Sequence, residues 1–232
     1  MNPNKPQKAS PPPEIQGTLR SFMLKVPEEI YRASGILLFG KRIKSVLFST
    51  DISIICNTNA DAVIAVYPFT PQPIITQAIL SAATVPVFSG VGGGLTQGPR
   101  VMNLALHAEF QGAHAVVVNQ PTSNEDLKRT ADYIDIPVIV TVLNEHEDIA
   151  ARLAAGAKIL NVSAASRTPQ VVAAIREKFP TVPIMATGGP TPESIIATIE
   201  AGANAITWTP PSNGEIFRTK MDKYRDEASQ IE

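Results

Sequence analysis

A pair of glycines in the last third of the chain has the pattern of a backbone anion site. Thr187, Gly188 and Gly189 follow a short apolar run, and Thr191 then offers a side-chain cap to a helix with proline in its first turn. Backbone N–H groups without side chains around them, at the start of a helix, can hold a phosphate or a carboxylate. We therefore expect an anionic ligand at Thr187, Gly188 and Gly189.

A second glycine-rich stretch, Ser89 to Gly94, is longer than a tight turn between a strand and a helix needs. Gly98 and Pro99 then open the next helix, and Arg100 in its first turn could receive a second anionic group. A mobile loop that closes over the site would have the same sequence, and both interpretations stay open. The candidate ligand-binding residues here are Ser89, Gly92 and Gly93.

Two carboxylates follow predicted strands, Asp51 after the first and Glu145 after the fifth. If both reach one centre, they could act as general acid and base or share a divalent cation. Asp51 would equally suit a helix cap, and Glu145 a solvated first turn. Tyr67 lies beside a strand end, where its hydroxyl could donate a proton and its ring could stack on a ligand or cover the core.

Neutral polar side chains end the fourth and sixth predicted strands. Asn119, Asn161 and Ser163 would need hydrogen-bond partners if buried, and either a ligand or an internal polar network could supply them. After the eighth strand, Ser212 and Gly214 remain as candidate contacts to an anion. His107, His114 and His146 lack the spacing of a metal site. Cys56 lies among isoleucines in the first predicted helix, which favours a buried apolar role, and we predict no metal.

Each of these candidate residues comes at the end of a short β-branched run, and such runs alternate along the chain with helical stretches. Such alternation predicts a parallel sheet, and eight strands close into a single (β/α)8 barrel, a TIM barrel, whose working residues lie just after the strands. The predicted strands are Lys44 to Phe48, Ala62 to Val66, Val85 to Phe88, Ala115 to Val118, Val138 to Val142, Ile159 to Val162, Ile184 to Ala186 and Ala205 to Trp208.

The glycine pair after the seventh strand resembles that of the phosphate-binding, aldolase-type TIM barrels, among them the ribulose-phosphate-binding group and the keto-deoxy-phosphogluconate aldolases. The resemblance implies a phosphorylated ligand. Two features depart from it. The turn over Thr207 to Gly214 lacks the second glycine-rich phosphate grip, and Lys158 lies at the start of the sixth strand, so a Schiff-base aldolase is not expected. Through Tyr67 to Pro73 and Ser89 to Gly94, the chain also resembles uncharacterised bacterial barrel proteins named only as hydrolases.

The amino-acid composition limits which binding partners and which cellular compartment we expect. A formal net charge of −1 gives no field that would attract nucleic acid or an anionic membrane. A single cysteine excludes an intramolecular disulfide, and no run reaches about 18 apolar residues, so we expect a cytoplasmic protein. We divide the chain into a disordered proline-rich tail (1–17), a lead segment that is a helix or a hairpin (18–43) and the barrel (44–232). The lead segment offers a surface for a homo-oligomer.

These patterns favour a metabolic enzyme of the isomerase, lyase or hydrolase type. It would bind a small phosphorylated or carboxylated metabolite at the carboxyl ends of the strands, with Asp51 or Glu145 as the base. The scarcity of acids and bases leaves open a barrel that binds or senses a ligand without catalysis. An FMN-binding barrel is a third alternative, because FMN phosphate can lie against glycines after the seventh and eighth strands.

Overall fold

Eight parallel strands close into a barrel in which the last strand pairs with the first, which confirms the predicted (β/α)8 fold. The computed structural model describes residues 23–229 and positions 13, 15, 17 and 18, so nearly all of the predicted disordered tail lies outside the described residues. The strands are β1 (Ile36–Leu38) and β2 (Lys41–Ile43), which form a hairpin, and the barrel strands β3 (Ser45–Phe48), β4 (Ala62–Ala65), β5 (Val87–Gly92), β6 (Ala115–Val118), β7 (Val138–Val142), β8 (Ala157–Val162), β9 (Ile184–Thr187) and β10 (Ala205–Trp208).

A helix follows each barrel strand and covers the outside of the barrel. Within residues 23–229, no helix is long and apolar enough to cross a membrane. Two short 3-10 helices cover Glu28–Arg32 and Ala165–Arg167. The α-helices are α1 (Ile52–Ile55), α2 (Pro73–Ala82), α3 (Pro99–Phe110), α4 (Asn124–Tyr133), α5 (Ile149–Ala154), α6 (Thr168–Lys178), α7 (Pro192–Glu200) and α8 (Asn213–Ser229).

Side chains alternate along each barrel strand between the lumen and the helix layer, as the pleat of a strand requires. Phe88 and Met185 pack together inside the barrel, whereas the residues before them, Val87 and Ile184, pack in the layer that includes the helices. The same alternation turns Ser89 outward, towards the helices. Its hydroxyl therefore lies behind the barrel wall, away from the lumen.

The strand β5 differs from its prediction, because it begins two residues later and continues to Gly92. Pro86 has no N–H to donate to a neighbouring strand, so pairing begins after it, although its carbonyl accepts a hydrogen bond from the N–H of Val63. Beyond Gly90 the register with β6 shifts by one residue. The glycine-rich stretch thus begins as barrel wall and becomes a loop only after Gly92.

The lead segment closes the amino end of the barrel. β1 pairs with β2 around a turn in which Phe39 and Gly40 have φ of 47° and 81°, and Leu38 and Ile43 pack into the lumen cluster. Lys44 to Phe48, predicted as the first barrel strand, forms β3 over Ser45–Phe48, and the hairpin strands lie just before it within the lead segment. The hairpin and the barrel therefore share one core.

This plug is expected to support the barrel's stability. Ile43 is 2% exposed, so Ile43→Ala should lower the free energy of unfolding by about 2–4 kcal/mol through lost burial and a cavity. Leu37 in the facing strand is 67% exposed, and Leu37→Ala should change it by less than about 0.5 kcal/mol. Urea denaturation of both variants measures the difference, and equal losses would contradict the plug.

Candidate functional site

Five neutral polar side chains lie at the carboxyl ends of β7 to β10. They continue the lumen side of the strands, two residues beyond buried apolar side chains such as Met185 and Ala205. The Asn161 amide donates a hydrogen bond to Thr141 over 3.5 Å, and the Thr187 hydroxyl donates one to Ser163 over 3.4 Å. Both bonds are long. We call this group the mouth cluster: Thr141, Asn161, Ser163, Thr187 and Thr207.

Two atoms of the mouth cluster are buried without a partner. Asn161 is 8% exposed and Thr207 is 5% exposed, and neither Asn161 Oδ1 nor Thr207 Oγ1 has a hydrogen-bond partner within the described part of the chain. Buried polar atoms are normally bonded, because leaving one unpaired costs about 1–3 kcal/mol. Polar atoms of a bound ligand would satisfy both residues.

A cavity of about 240 Å³ opens on the other side of the mouth, among the loops that follow β4, β5 and β6. Tyr67 is in its wall, and its hydroxyl accepts a hydrogen bond of 2.8 Å from the backbone N–H of Gln72, which braces the loop after β4. The other lining residues are Val66, Pro68, Phe69, Thr70, Pro71, Gly90, Gly92, Gly94, Leu95, Thr96, Val117 and Asn119.

The glycine-rich loop is held by tight packing against the loop after β6. A Cβ atom at Gly93 would lie 2.0 Å from Thr122 Oγ1 and 2.8 Å from the backbone nitrogen of Asn119, and Gly93 has a φ of 97°. Gly92 accepts a hydrogen bond from the N–H of Asn119, and the N–H of Gly93 donates to Thr96. Gly92 therefore lines the cavity, and Gly93 fixes the loop against Asn119 and Thr122.

A carboxylate of the protein itself, that of Asp126, is bound at the start of α3. The N–H of Gly98 donates to Asp126 Oδ2 over 3.0 Å, so the donor that the sequence offered to a second anion is bonded within the chain. Arg100 lies in the first turn of α3, and its side chain forms no hydrogen bond or ion pair with another residue of the range 23–229. The hydrogen bond to Asp126 therefore fixes the glycine-rich loop where it joins α3.

The predicted anion site at the start of α7 is also largely bonded internally. The N–H of Gly188 donates to the carbonyl of Thr207, and the N–H of Ser194 donates to Thr191 Oγ1. The Glu193 carboxylate lies in the same turn, and its pKa is lowered mainly by its own backbone N–H. Gly189 has a φ of 81°, and its N–H has no partner among the described residues. One backbone donor therefore remains for a ligand.

The turn after β10 shows the same arrangement. Both the N–H and the hydroxyl of Ser212 donate to Glu215 Oε2, at 2.8 and 2.7 Å. These bonds lower the pKa of Glu215 and keep a negative charge at the start of α8. Gly214 lies next to this turn with open space around it. With carboxylates in both helix starts, these turns do not fit the phosphate of FMN.

The two predicted catalytic carboxylates lie on the rim, outside the cavity wall. Asp51 Oδ1 accepts hydrogen bonds from the backbone and hydroxyl of Ser53 and from the N–H of Ile54, so it caps α1, and the Ser53 hydroxyl is the largest cause of its lowered pKa. Glu145 forms an ion pair with Arg167. The pKa of Glu145 is lowered, first by its own backbone N–H. Both carboxyls are therefore ionised at neutral pH.

A third carboxylate near the mouth was not identified from the sequence. The side chain of Glu147 is 8% exposed; its Oε1 accepts the N–H of Leu143, and its Oε2 is 4.0 Å from Arg152. Arg152 also donates to the carbonyls of Gln120 and Thr122. The pair joins the loops after β6 and β7. Glu147 lies in a charged run that looks solvent-exposed, and only the arginine four residues after the Asp148 cap hints at this contact.

A divalent cation has no evident ligand set in this barrel. No group of three His, Cys, Asp or Glu side chains within residues 23–229 could hold a metal ion. The hydroxyls and amides of the mouth cluster lack the carboxylates that Mg²⁺ prefers. The residues present therefore do not fit a metal-dependent site at the mouth.

Comparisons with solved proteins show the same barrel. A phosphoenolpyruvate phosphomutase from Streptomyces platensis subsp. rosaceus has a TM-score of 0.61 at 16% identity, covering 87% of this chain and 84% of that one. A phosphonopyruvate hydrolase in complex with oxalate and Mg²⁺ has a TM-score of 0.59 at 16% identity over 84% of each chain. A mandelate oxidase with benzaldehyde has a TM-score of 0.57 at 13% identity, over 76% of this chain and 68% of that one.

No family model matches the sequence, and no curated protein sequence is significantly similar to it. At these identities the structural likeness shows the fold. It does not confirm the specific aldolase-type families that the glycine pair after β9 resembles.

The packing of the glycine loop predicts a position-specific effect. Gly93→Ala should lower the free energy of unfolding by at least about 1 kcal/mol, because the added Cβ meets Thr122 and the backbone is left-handed. Gly94→Ala in the same loop should be nearly neutral, since its Cβ would meet nothing within 4 Å. Thermal unfolding of the two variants checks this, and equal stability would argue against the tight contact.

The cap at Asp51 predicts a pH dependence. Asp51→Ala should cost about 1 kcal/mol at pH 7. Because the pKa of Asp51 is lowered in the folded state, its stabilisation is present above the unfolded value of about 4 and is lost as the pH falls through the folded value. Urea titrations at pH 7 and pH 3 should show the gap closing. Asp135→Ala, an exposed position outside any helix cap, is the control, and an equal pH effect there would contradict the cap.

Proposed function

We propose that this chain is an enzyme that acts on a small carboxylated or phosphorylated metabolite, with the polar head of the substrate at the mouth cluster. The observation that carries the proposal is the pair of buried, unpartnered atoms Asn161 Oδ1 and Thr207 Oγ1. They lie at the carboxyl ends of barrel strands, where barrels of this fold place their active sites. The substrate would complete the hydrogen bonds that the protein leaves open.

The surrounding groups suit recognition by hydrogen bonds. The hydroxyl of Thr207 and the N–H of Gly189 can donate to a carboxylate or a carbonyl, and Asn161 Oδ1 can accept from a hydroxyl of the substrate. The names of two structurally similar enzymes, for phosphoenolpyruvate and phosphonopyruvate, concern small acids of this kind. They support this class of substrate.

For the chemical step we assign the proton transfer to the ionised rim carboxylates, Glu145 first and Asp51 second. Its own backbone N–H and, after it, Arg167 lower the pKa of Glu145, and one carboxylate oxygen of Glu145 is buried without a hydrogen-bond partner in the described chain. A charged carboxylate with a free lone pair can accept a proton from the substrate or from a water. Tyr67 could return a proton from the cavity side. An isomerase, a lyase or a hydrolase would each use this set.

Binding by the mouth cluster can be tested with two matched hydroxyls. Oxalate and phosphonopyruvate should bind the native chain, and Thr207→Val should weaken the binding about tenfold, as loss of one hydrogen bond does. Ser89→Ala is the control, because Ser89 is 2% exposed and equally unpartnered but faces the helix layer. Isothermal titration calorimetry gives both affinities. Equal affinities for the native chain and Thr207→Val would rule out the mouth cluster as the head-group site.

Catalysis is tested separately, because the uncharged lumen also favours a ligand-binding barrel without turnover. The native protein is incubated with a metabolite extract, and mass spectrometry follows bound and converted compounds. A converted compound supports the enzyme, and Glu145→Gln should lower its rate at least about 100-fold. Asp51→Asn should have the smaller effect. A compound that binds and stays unchanged supports the ligand-binding alternative.

A further inference from the structure

The cavity beside the mouth cluster has an uncharged and largely apolar wall. None of its lining residues is Asp, Glu, Lys, Arg or His. Its apolar members come from three elements, with Val66 after β4, Val117 in β6 and Leu95 in the glycine-rich loop. The polar side chains of the wall are the neutral Tyr67, Thr70, Thr96 and Asn119, and the Tyr67 hydroxyl accepts a hydrogen bond from the loop backbone. A charged group placed in this cavity would lose its hydration without gaining a partner of opposite charge.

Two large apolar side chains stand exposed at the cavity's edge. Phe69 is 72% exposed on the loop after β4, and Leu95 is 100% exposed on the loop after β5. Single exposed apolar residues are common on protein surfaces, but two on neighbouring loops that line one cavity are typical of a ligand-binding surface. An apolar group in the cavity would bury both side chains against itself.

The size of the cavity limits the apolar group. At about 240 Å³ it exceeds the roughly 150 Å³ that holds a benzene molecule in a protein core. It falls below the range of about 300–1,000 Å³ typical of sites for drug-sized ligands and cofactors. One aromatic ring or one branched aliphatic chain with a short extension would fill it.

The cavity and the mouth cluster share one lumen. Val117 and Asn119 on the β6 side line the cavity, and Thr141 on the neighbouring strand β7 begins the mouth cluster. A ligand that extends from β6 across the neighbouring strand β7 would contact both regions. The donors of the mouth cluster are neutral, and neutral donors compensate one negative charge better than two.

We propose that the ligand is an amphipathic monocarboxylate, with its carboxylate at the mouth cluster and an aromatic or branched aliphatic group in the cavity between Phe69 and Leu95. This inference rests on the proposed function, because it uses the same head-group site. It narrows the substrate class to acids with an apolar side group and places small dianions such as oxalate among the weak ligands.

Three probes separate the two halves of the ligand. Phenylacetate has both halves, acetate lacks the ring, and benzyl alcohol lacks the carboxylate. Phenylacetate should bind the full chain at least about tenfold more tightly than acetate, the gain expected from burying one ring. It should also bind at least about tenfold more tightly than benzyl alcohol, and calorimetry or ligand-observed NMR gives each affinity.

Variants at exposed positions test the cavity without disturbing the core. Leu95→Ser and Phe69→Ser should each lower the affinity for phenylacetate about five- to tenfold and leave that for acetate unchanged. Phe110→Ser is the matched control, because Phe110 is 79% exposed at the end of α3 and should have no effect on either probe.

The outcomes distinguish this inference from the proposed function. If oxalate or acetate binds as tightly as phenylacetate and Leu95→Ser and Phe69→Ser change nothing, the apolar subsite is overturned while the head-group site stands. If benzyl alcohol binds as tightly as phenylacetate and Thr207→Val changes nothing, the head-group site fails, and the monocarboxylate class fails with it. If phenylacetate does not bind, the amphipathic ligand is overturned.

Discussion

Closure of the parallel sheet is the constraint on which the rest of this molecule depends. Every second side chain of each strand must enter one shared lumen. The side chains at the amino end therefore have to fill this space, and those at the carboxyl end determine which ligand can bind there. At the amino end, Phe88 and Met185 meet the hairpin residues Leu38 and Ile43. At the carboxyl end the lumen positions become threonine, serine and asparagine. The change from apolar to polar along the strands creates the pocket.

The helix starts around the mouth are neutralised by the chain's own carboxylates. Asp126 accepts the N–H of Gly98 just before α3, Glu193 lies in the first turn of α7, and Glu215 accepts the hydroxyl of Ser212 just before α8. An N-terminal carboxylate stabilises a helix in the same way as a bound anion would. Recognition of a ligand therefore shifts from the helix starts to the side chains inside the barrel.

The barrel could be predicted because its signals are local. β-Branched runs and helix caps can be recognised from residues that are adjacent in the sequence. The predicted strands from Ala115 to Trp208 agree closely with those of the structure. The site was only partly predictable. Asn161 and Ser163 could be placed on the lumen side from the period of a strand, but the bond of Gly98 depends on Asp126 in the neighbouring helix α4. The bond of Ser212 to Glu215, three residues later, is a local capping contact that the sequence analysis did not identify. The ion pair of Glu147 with Arg152 is likewise decided by tertiary packing.

The plug at the amino end of the barrel connects the residues just before the hairpin to the residue just before β10. Asn204, just before β10, donates to Ser34 through its side chain and accepts the N–H of Gly35 through its carbonyl, across 170 residues. Contacts of such separation form slowly, because the intervening chain must first be ordered. During synthesis, the apolar face of the hairpin leaves the ribosome long before the strands that cover it. Folding of this barrel therefore cannot be completed before β10 is synthesised, and until then the nascent chain exposes a surface that chaperones would recognise.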